Sequence, residues 1–137
     1  MNRPPFRKSK ERPENLPVCS AVVLCAAVRH GGTTLDLVAV RAGFHVEVLP
    51  TPVDPFFVYY QLSCAEGKFA IDARFYKSGA SRAIAKSKKQ TVRLADNLDV
   101  QIGWTKMPYF LLRSTGEYDM VVFANGYDGG RSHVLVR

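Results

Sequence analysis

Two apolar runs and the turn between them decide the fold. The first is Phe56-Phe57-Val58-Tyr59-Tyr60-Gln61-Leu62-Ser63-Cys64. The second, after Ala65-Glu66-Gly67, is Lys68-Phe69-Ala70-Ile71-Asp72-Ala73-Arg74-Phe75-Tyr76. Phe69, Ile71, Ala73 and Phe75 alternate with Ala70, Asp72, Arg74 and Tyr76, which is the period of a strand with one buried face. Glu66-Gly67 supplies the turn, so the two runs read as an antiparallel hairpin. The first run carries aromatics on both faces. If Val58 and Tyr60 face a core, Phe57 and Tyr59 face outward and need a cover, either a loop of the same chain or a partner.

Period two continues in both directions from this hairpin. Val18–Val28 is a continuous apolar run that stops at His30-Gly31-Gly32. Leu35–Val40 and Phe44–Val48 follow, and Thr51-Pro52-Val53-Asp54-Pro55 reads as a loop because proline interrupts a ladder. Downstream, Val100, Ile102 and Trp104 alternate with Gln101, Gly103 and Thr105. Tyr118, Met120, Val122 and Ala124 give another strand, and Ser132–Val136 a last one. About eight strands with short connections, and no long helical period, predict an all-β antiparallel two-sheet sandwich. The expected inward set is Val22, Leu24, Leu37, Phe69, Ile71, Ile102, Trp104, Tyr118, Met120 and Val122.

The chain has 137 residues, 47% hydrophobic and 23% charged, which fits one domain able to bury its own core. Its formal charge is +7, unevenly spread. Residues 1–17 hold Arg3, Arg7, Lys8, Lys10 and Arg12 among four prolines and read as a flexible basic arm, leaving residues 18–137 as the domain. Residues 74–93 hold Arg74, Lys77, Arg82, Lys86, Lys88, Lys89 and Arg93 without an acid, while the rest of the chain has seven basic and ten acidic residues. Over Ser81–Leu94 a helix would align Arg82, Lys86, Lys89 and Arg93 in one stripe. A strand would put Arg82, Lys86 and Lys88 on one face, with a break at Lys89. Lysines on an edge strand guard against aggregation, or they meet phosphates.

Catalytic signatures are lacking. There is no phosphate-cradling glycine loop and no nucleophile elbow. His45-Val46-Glu47 matches the His-x-Glu of zinc deaminases without their Pro-Cys-x-x-Cys. His30 and His133 have no cysteine or carboxylate at ligand spacing along the chain. No catalytic residue, cofactor or metal site is expected. Cys19 and Cys25 would share a strand face about 20 Å apart, too far to hold one metal. Three cysteines cannot form a closed disulfide set, which suits a reducing cytoplasm. A secretory leader would also combine basic residues with an apolar run. Here Glu11, Glu14 and Pro17 intervene and no small-x-small cleavage site follows, so the run reads as a buried strand. No stretch is long enough to cross a membrane as a helix.

Val18-Cys19-Ser20-Ala21-Val22-Val23-Leu24, Leu35–Val40 with Gly43-Phe44, and Gly116-Glu117-Tyr118…Gly126…Val134-Leu135-Val136 resemble a family of small bacterial β-sandwich proteins of unknown function. The resemblance covers residues 18–137. It implies a compact sandwich and neither catalytic residues nor a substrate. The basic segment and the arm depart from that family's pattern. The leading functional expectation is a non-catalytic binding or scaffold module that meets a protein partner, or itself, through Phe57 and Tyr59. The alternative is nucleic-acid backbone binding through Arg74, Lys77, Arg82, Lys86, Lys88, Lys89 and Arg93 together with the arm.

Overall fold

The computed structural model describes residues 13–137, so the arm's five basic residues lie outside the described part. The described chain is all-β, with twelve strands in place of the expected eight or so: β1 (Val18–Gly31), β2 (Thr34–Arg41), β3 (Gly43–Phe44), β4 (Thr51–Val53), β5 (Phe57–Ser63), β6 (Gly67–Lys77), β7 (Ala85–Lys86), β8 (Gln90–Leu94), β9 (Gln101–Lys106), β10 (Phe110–Leu112), β11 (Gly116–Ala124) and β12 (Tyr127–Val136). They form three sheets. One has the order β2-β1-β5-β9, one pairs β10 with β4, and one runs β3-β12-β11-β6-β7, with β8 beside β7 on the same side of β6. Every pairing is antiparallel except the short β12–β3 contact. Of the strands beyond the expected set, β4, β7 and β10 are two- and three-residue pieces, too short for alternation to mark, with β4 inside the stretch read as a loop. β8 is a five-residue strand in the ambiguous Ser81–Leu94 stretch. Ser81–Leu94 is not a helix; β7 and β8 are separated by the break at Ser87–Lys89.

The expected hairpin of β5 with β6 does not form: the two strands lie in different sheets, and the turn at Glu66-Gly67 carries the chain from one sheet to the other. The inward set of β6 is nevertheless realised as read. Phe69, Ile71, Ala73 and Phe75 join Val58, Tyr60 and Leu62 of β5 and Tyr118, Met120, Val122 and Ala124 of β11 in one buried cluster. Phe75 stacks on Tyr118 with ring centroids 5.2 Å apart and meets Phe110 at the same distance. Phe110 reaches Phe56 at 6.2 Å, and Phe56 reaches Phe44 at 5.6 Å, so aromatic contacts seal the two-stranded sheet to the core. Of the expected core, Leu24 is also buried, Val22 is partly buried against the cluster, and Leu37 is half-buried outside it.

The expectation fails on β9, where the register is inverted. Tyr60 stands opposite Gly103 and Tyr59 opposite Trp104, so Gly103 and Thr105 face the core while Ile102 and Trp104 face away. Ile102 is 44% exposed. The reason is Tyr60: a Cβ on Gly103 would lie 2.6 Å from its ring, so the large side chain on β5 requires the small residue on β9. The Tyr60 hydroxyl donates to Gln90 Oε1 at 2.6 Å, and Gln90 Nε2 donates to the Trp104 carbonyl at 2.9 Å. Gln90 on β8 thereby ties the six-stranded sheet to β9. At the opposite side β1 and β12 approach closely, and a Cβ on Gly130 would sit 2.5 Å from the Cys19 carbonyl oxygen.

Trp104 is covered from an unexpected direction. It is opposite Tyr59, which is opposite Val23 on β1. Seven residues further along a straight β1, His30 would be roughly 23 Å away from Val23. The His30 and Trp104 ring centroids are nevertheless 6.1 Å apart. The distal part of the β1–β2 hairpin therefore curls back over the outer face of the four-stranded sheet. The bend coincides with Ala39, whose φ is +54°, and with the one missing rung in an otherwise constant β1–β2 register. A bulge between Cys19 and Ala21 also corrects the cysteine expectation: Cys19 opposes Leu62 on the core side and Cys25 opposes Phe57 on the outer side. Both thiols are buried and Cys64 is exposed.

The packed body begins inside the segment assigned to the arm. Leu16 and Pro17 are buried, and Asn15 exchanges two hydrogen bonds with the Glu66 backbone, at 2.9 and 3.2 Å. Among the described residues no helix is long and apolar enough to cross a membrane.

The inverted register gives a direct expectation. Gly103→Ala should destabilise by roughly 1–3 kcal/mol in chemical denaturation, because the new methyl group overpacks Tyr60. Ile102→Ala, on the open face, should cost about 1 kcal/mol or less. The reverse order would contradict the register.

Candidate functional site

Cations gather around the edge of the six-stranded sheet. Short β7 presents Lys86 opposite Arg74, and Lys88 and Lys89 follow in the break before β8. Two open clefts flank Lys86. One, of about 410 Å³, lies where β8 meets β9 and is lined by Lys86, Lys88, Gln90, Thr105, Lys106 and Met107. The other, of about 500 Å³, lies over the outer face of β6 and is lined by Arg74, Tyr76, Ser81, Arg82, Ile84 and Lys86. Both mix cationic heads with an apolar floor.

The expected basic residues are thus divided. Arg74, Arg82, Lys86 and Lys88 line the clefts. Arg93 on β8 is opposite Lys68 on β6 and shares the outer face with Arg74, but lines neither cleft. Lys89 is exposed beside them. Lys77 is drawn off: its ammonium donates to Ser114 Oγ at 2.8 Å and lies 6.0 Å from the Tyr118 ring. Lys106 was missed, because it belongs to a stretch with no basic excess. Only the approach of β9 to β8 across the two sheets brings it to Lys86 and Lys88. Among the described residues Arg82, Lys86, Lys88, Lys89, Arg93 and Lys106 make no salt bridge.

Arg74 is held differently. Its Nε donates to Asp72 Oδ2 at 2.7 Å, and its guanidinium carbon lies 4.1 Å from the Phe123 ring centroid. The Asp72 hydrogen bond, and to a lesser degree Tyr76, hold the guanidinium above its ordinary pKa against the opposing effect of burial. Tyr60 beneath the first cleft is pushed up to about 12, chiefly by burial, so its hydroxyl stays a donor to Gln90.

Acids collect further across the same sheet, on β11 and β12. Asp119 is directly opposite His133, and Glu117 is the diagonal neighbour. His133 Nε2 is 2.7 Å from Glu117 and Nδ1 is 3.0 Å from Asp119. Arg131 pairs with both Asp119 and Asp128, and Ser78 donates to Asp119 at 3.2 Å. Spacings of 14 and 16 residues hid these carboxylates from a linear search. Among the described residues no group of three or more His, Cys, Asp or Glu is placed to hold a metal ion. His45 and Glu47 are exposed.

Phe57 and Tyr59 do face outward, and both are half-buried. Their β9 neighbours are Lys106 and Trp104, and the curled hairpin reaches Trp104. Val40 on this side stays 60% exposed.

Comparison with protein-family models finds no match, and comparison with curated proteins finds none either. Among solved structures, Pseudomonas fluorescens alkylpurine DNA glycosylase AlkC, bound to DNA containing an abasic site analog, is similar over 70% of this chain. The identity is 16% and the TM-score 0.45; the match takes in 27% of that chain, so this protein spans about a quarter of its length. A likeness that distant carries no argument.

The His133 cluster yields a pH expectation. Both ring nitrogens face carboxylates, so the protonated ring is favoured and its pKa lies above 6.5, from Glu117 first and Asp119 second. A raised folded-state value means that the pairing stabilises fully below the ordinary histidine pKa. That contribution is lost as pH rises through the raised one. An NMR titration of the His133 ring should show this rise, and Glu117→Gln should reduce it more than Asp119→Asn does.

Proposed function

We propose that this protein is a non-catalytic binding module whose β7–β8 edge holds the phosphate backbone of a nucleic acid. One observation carries the reading. Lys106, from the other large sheet, joins Lys86 and Lys88 at one cleft. Lysines that only guard an edge belong on that edge; a cation supplied across the gap between sheets is not explained by guarding. The absence of acidic partners among the described residues leaves these ammonium groups available to release counterions from phosphates. Tyr76 beside Arg74 and Arg82, and Met107 beside Lys106, offer apolar contact to sugar or base.

The order of the two expectations is thereby reversed. A protein partner, or a second copy, on the outer face of the four-stranded sheet remains the second reading. It is favoured by the exposure of Val40 and Ile102 beside Phe57 and Tyr59. The chain's own hairpin already takes part of that face, which weakens the need for a partner. In this proposal the two larger sheets are the layers of a two-sheet sandwich, supported by the Gln90 tie and the Cys19–Gly130 approach. The protein is read as a cytoplasmic member of the small bacterial β-sandwich family, with reduced cysteines and no cofactor.

Binding to a fluorescent single-stranded or duplex oligonucleotide should weaken steeply with salt, with a logarithmic slope of about −0.7 to −0.9 per phosphate contact. Replacing Lys86, Lys88 and Lys106 together by Glu should abolish it with little change in melting temperature, since all three are surface cations. No binding at low salt, or binding indifferent to the triple variant, would refute the proposal. Salt-insensitive self-association weakened by Tyr59→Ala would establish the second reading instead.

A further inference from the structure

Asp72 is 3% exposed, and its Oδ1 has no hydrogen-bond partner among the described residues. A buried carboxylate oxygen left unmatched is a cost that folding alone gives no reason to keep. Its other oxygen has one use, to receive the Nε–H of Arg74. Phe123 lies under the same guanidinium, and Tyr76 is 6.2 Å from Phe123. A side chain normally rich in rotamers is thus fixed by a hydrogen bond along one edge and an aromatic ring on one face. Its side chain remains 21% exposed and lines the 500 Å³ cleft with Arg82 and Lys86. With Nε committed to Asp72, and Tyr76 also a side-chain hydrogen-bond partner of the guanidinium, the donors left for the cleft are the remaining N–H groups of the terminal nitrogens, whose planar fork suits phosphate oxygens.

We infer that Arg74 is a pre-oriented phosphate-binding residue, with Asp72 as its positioning residue, and that one phosphodiester group of the bound nucleic acid occupies the cleft between Arg74, Arg82 and Lys86. This rests on the proposed function and deepens it. The surrounding lysines attract the polyanion without regard to geometry, whereas the fork selects a place for one phosphate. Fixing the guanidinium in the free protein lowers the ordering cost at binding, a gain that offsets the cost of the unmatched Asp72 oxygen.

Two substitutions separate the fork from charge alone. Arg74→Lys keeps the charge and loses the planar fork; affinity for the oligonucleotide should fall about tenfold or more while the salt slope changes little. Asp72→Ala raises the net charge by one, so a purely electrostatic surface should bind more tightly. Loss of the positioning residue should weaken binding, and in the Arg74→Lys background it should have no weakening effect. Melting temperatures confirm that each variant is folded, and Arg74→Lys alone keeps the test decisive if Asp72→Ala is not. The Arg74 Nε–H signal in NMR should shift on titration with inorganic phosphate, and that shift should vanish in Asp72→Ala. Wild-type affinity in Arg74→Lys, with binding still abolished by the triple lysine variant, would overturn the inference and leave the proposed function standing. No binding by the wild-type protein would overturn both.

Discussion

The contact between Tyr60 and Gly103 organises the molecule. A phenol ring on β5 lies where a β9 side chain would stand, so β9 must present glycine inward and turn Ile102 and Trp104 outward. The ring's hydroxyl then reaches Gln90, whose amide closes on the Trp104 carbonyl. The same strut that seals the core fixes the distance between β8 and β9. That distance sets the cleft in which Lys106 meets Lys86 and Lys88.

Turning Trp104 outward has a second effect. An indole in open water exposes apolar surface, and the β1–β2 hairpin answers by bending at Ala39 and bringing His30 over it. The most aromatic stretch of the chain is therefore largely satisfied internally. The charge is not: cations on the β7–β8 edge find no counter-charge among the described residues, while the acids on β11 and β12 are already engaged by His133 and Arg131. Attraction for a polyanion is the property this distribution leaves unspent.

Strands with one clean face were legible in the sequence. The inward sets of β6 and β11 pack as written, while Asp72 and Val121 on their outward positions are also buried. β9 was misread because its alternation was equally clean but referred to the wrong layer; no local pattern says that a neighbouring tyrosine already fills the inner side. The bulge after Cys19 reverses the face of Cys25 for the same kind of reason, since a skipped rung leaves no compositional mark. Asn15–Pro17 read as part of an arm because one leucine among prolines looks too little to bury, yet Asn15 locks to Glu66 far along the chain. At the site, the charge run announced Lys86, Lys88 and Arg82. It also included Lys77, which turns to Ser114, and omitted Lys106, which only the packing of β9 beside β8 delivers. The anchoring of Arg74 is local, since Asp72 is two residues away on the same face, and strand alternation was the available signal.

The most direct measurement is a backbone amide shift map of the protein titrated with a short oligonucleotide. Shifts concentrated at Ala85–Gln90, around Arg82 and at Lys106, on two sheets that meet at this edge through Gln90, are the predicted result. Shifts confined to the outer face of the four-stranded sheet, around Val40, Phe57, Tyr59 and Ile102, would contradict the account.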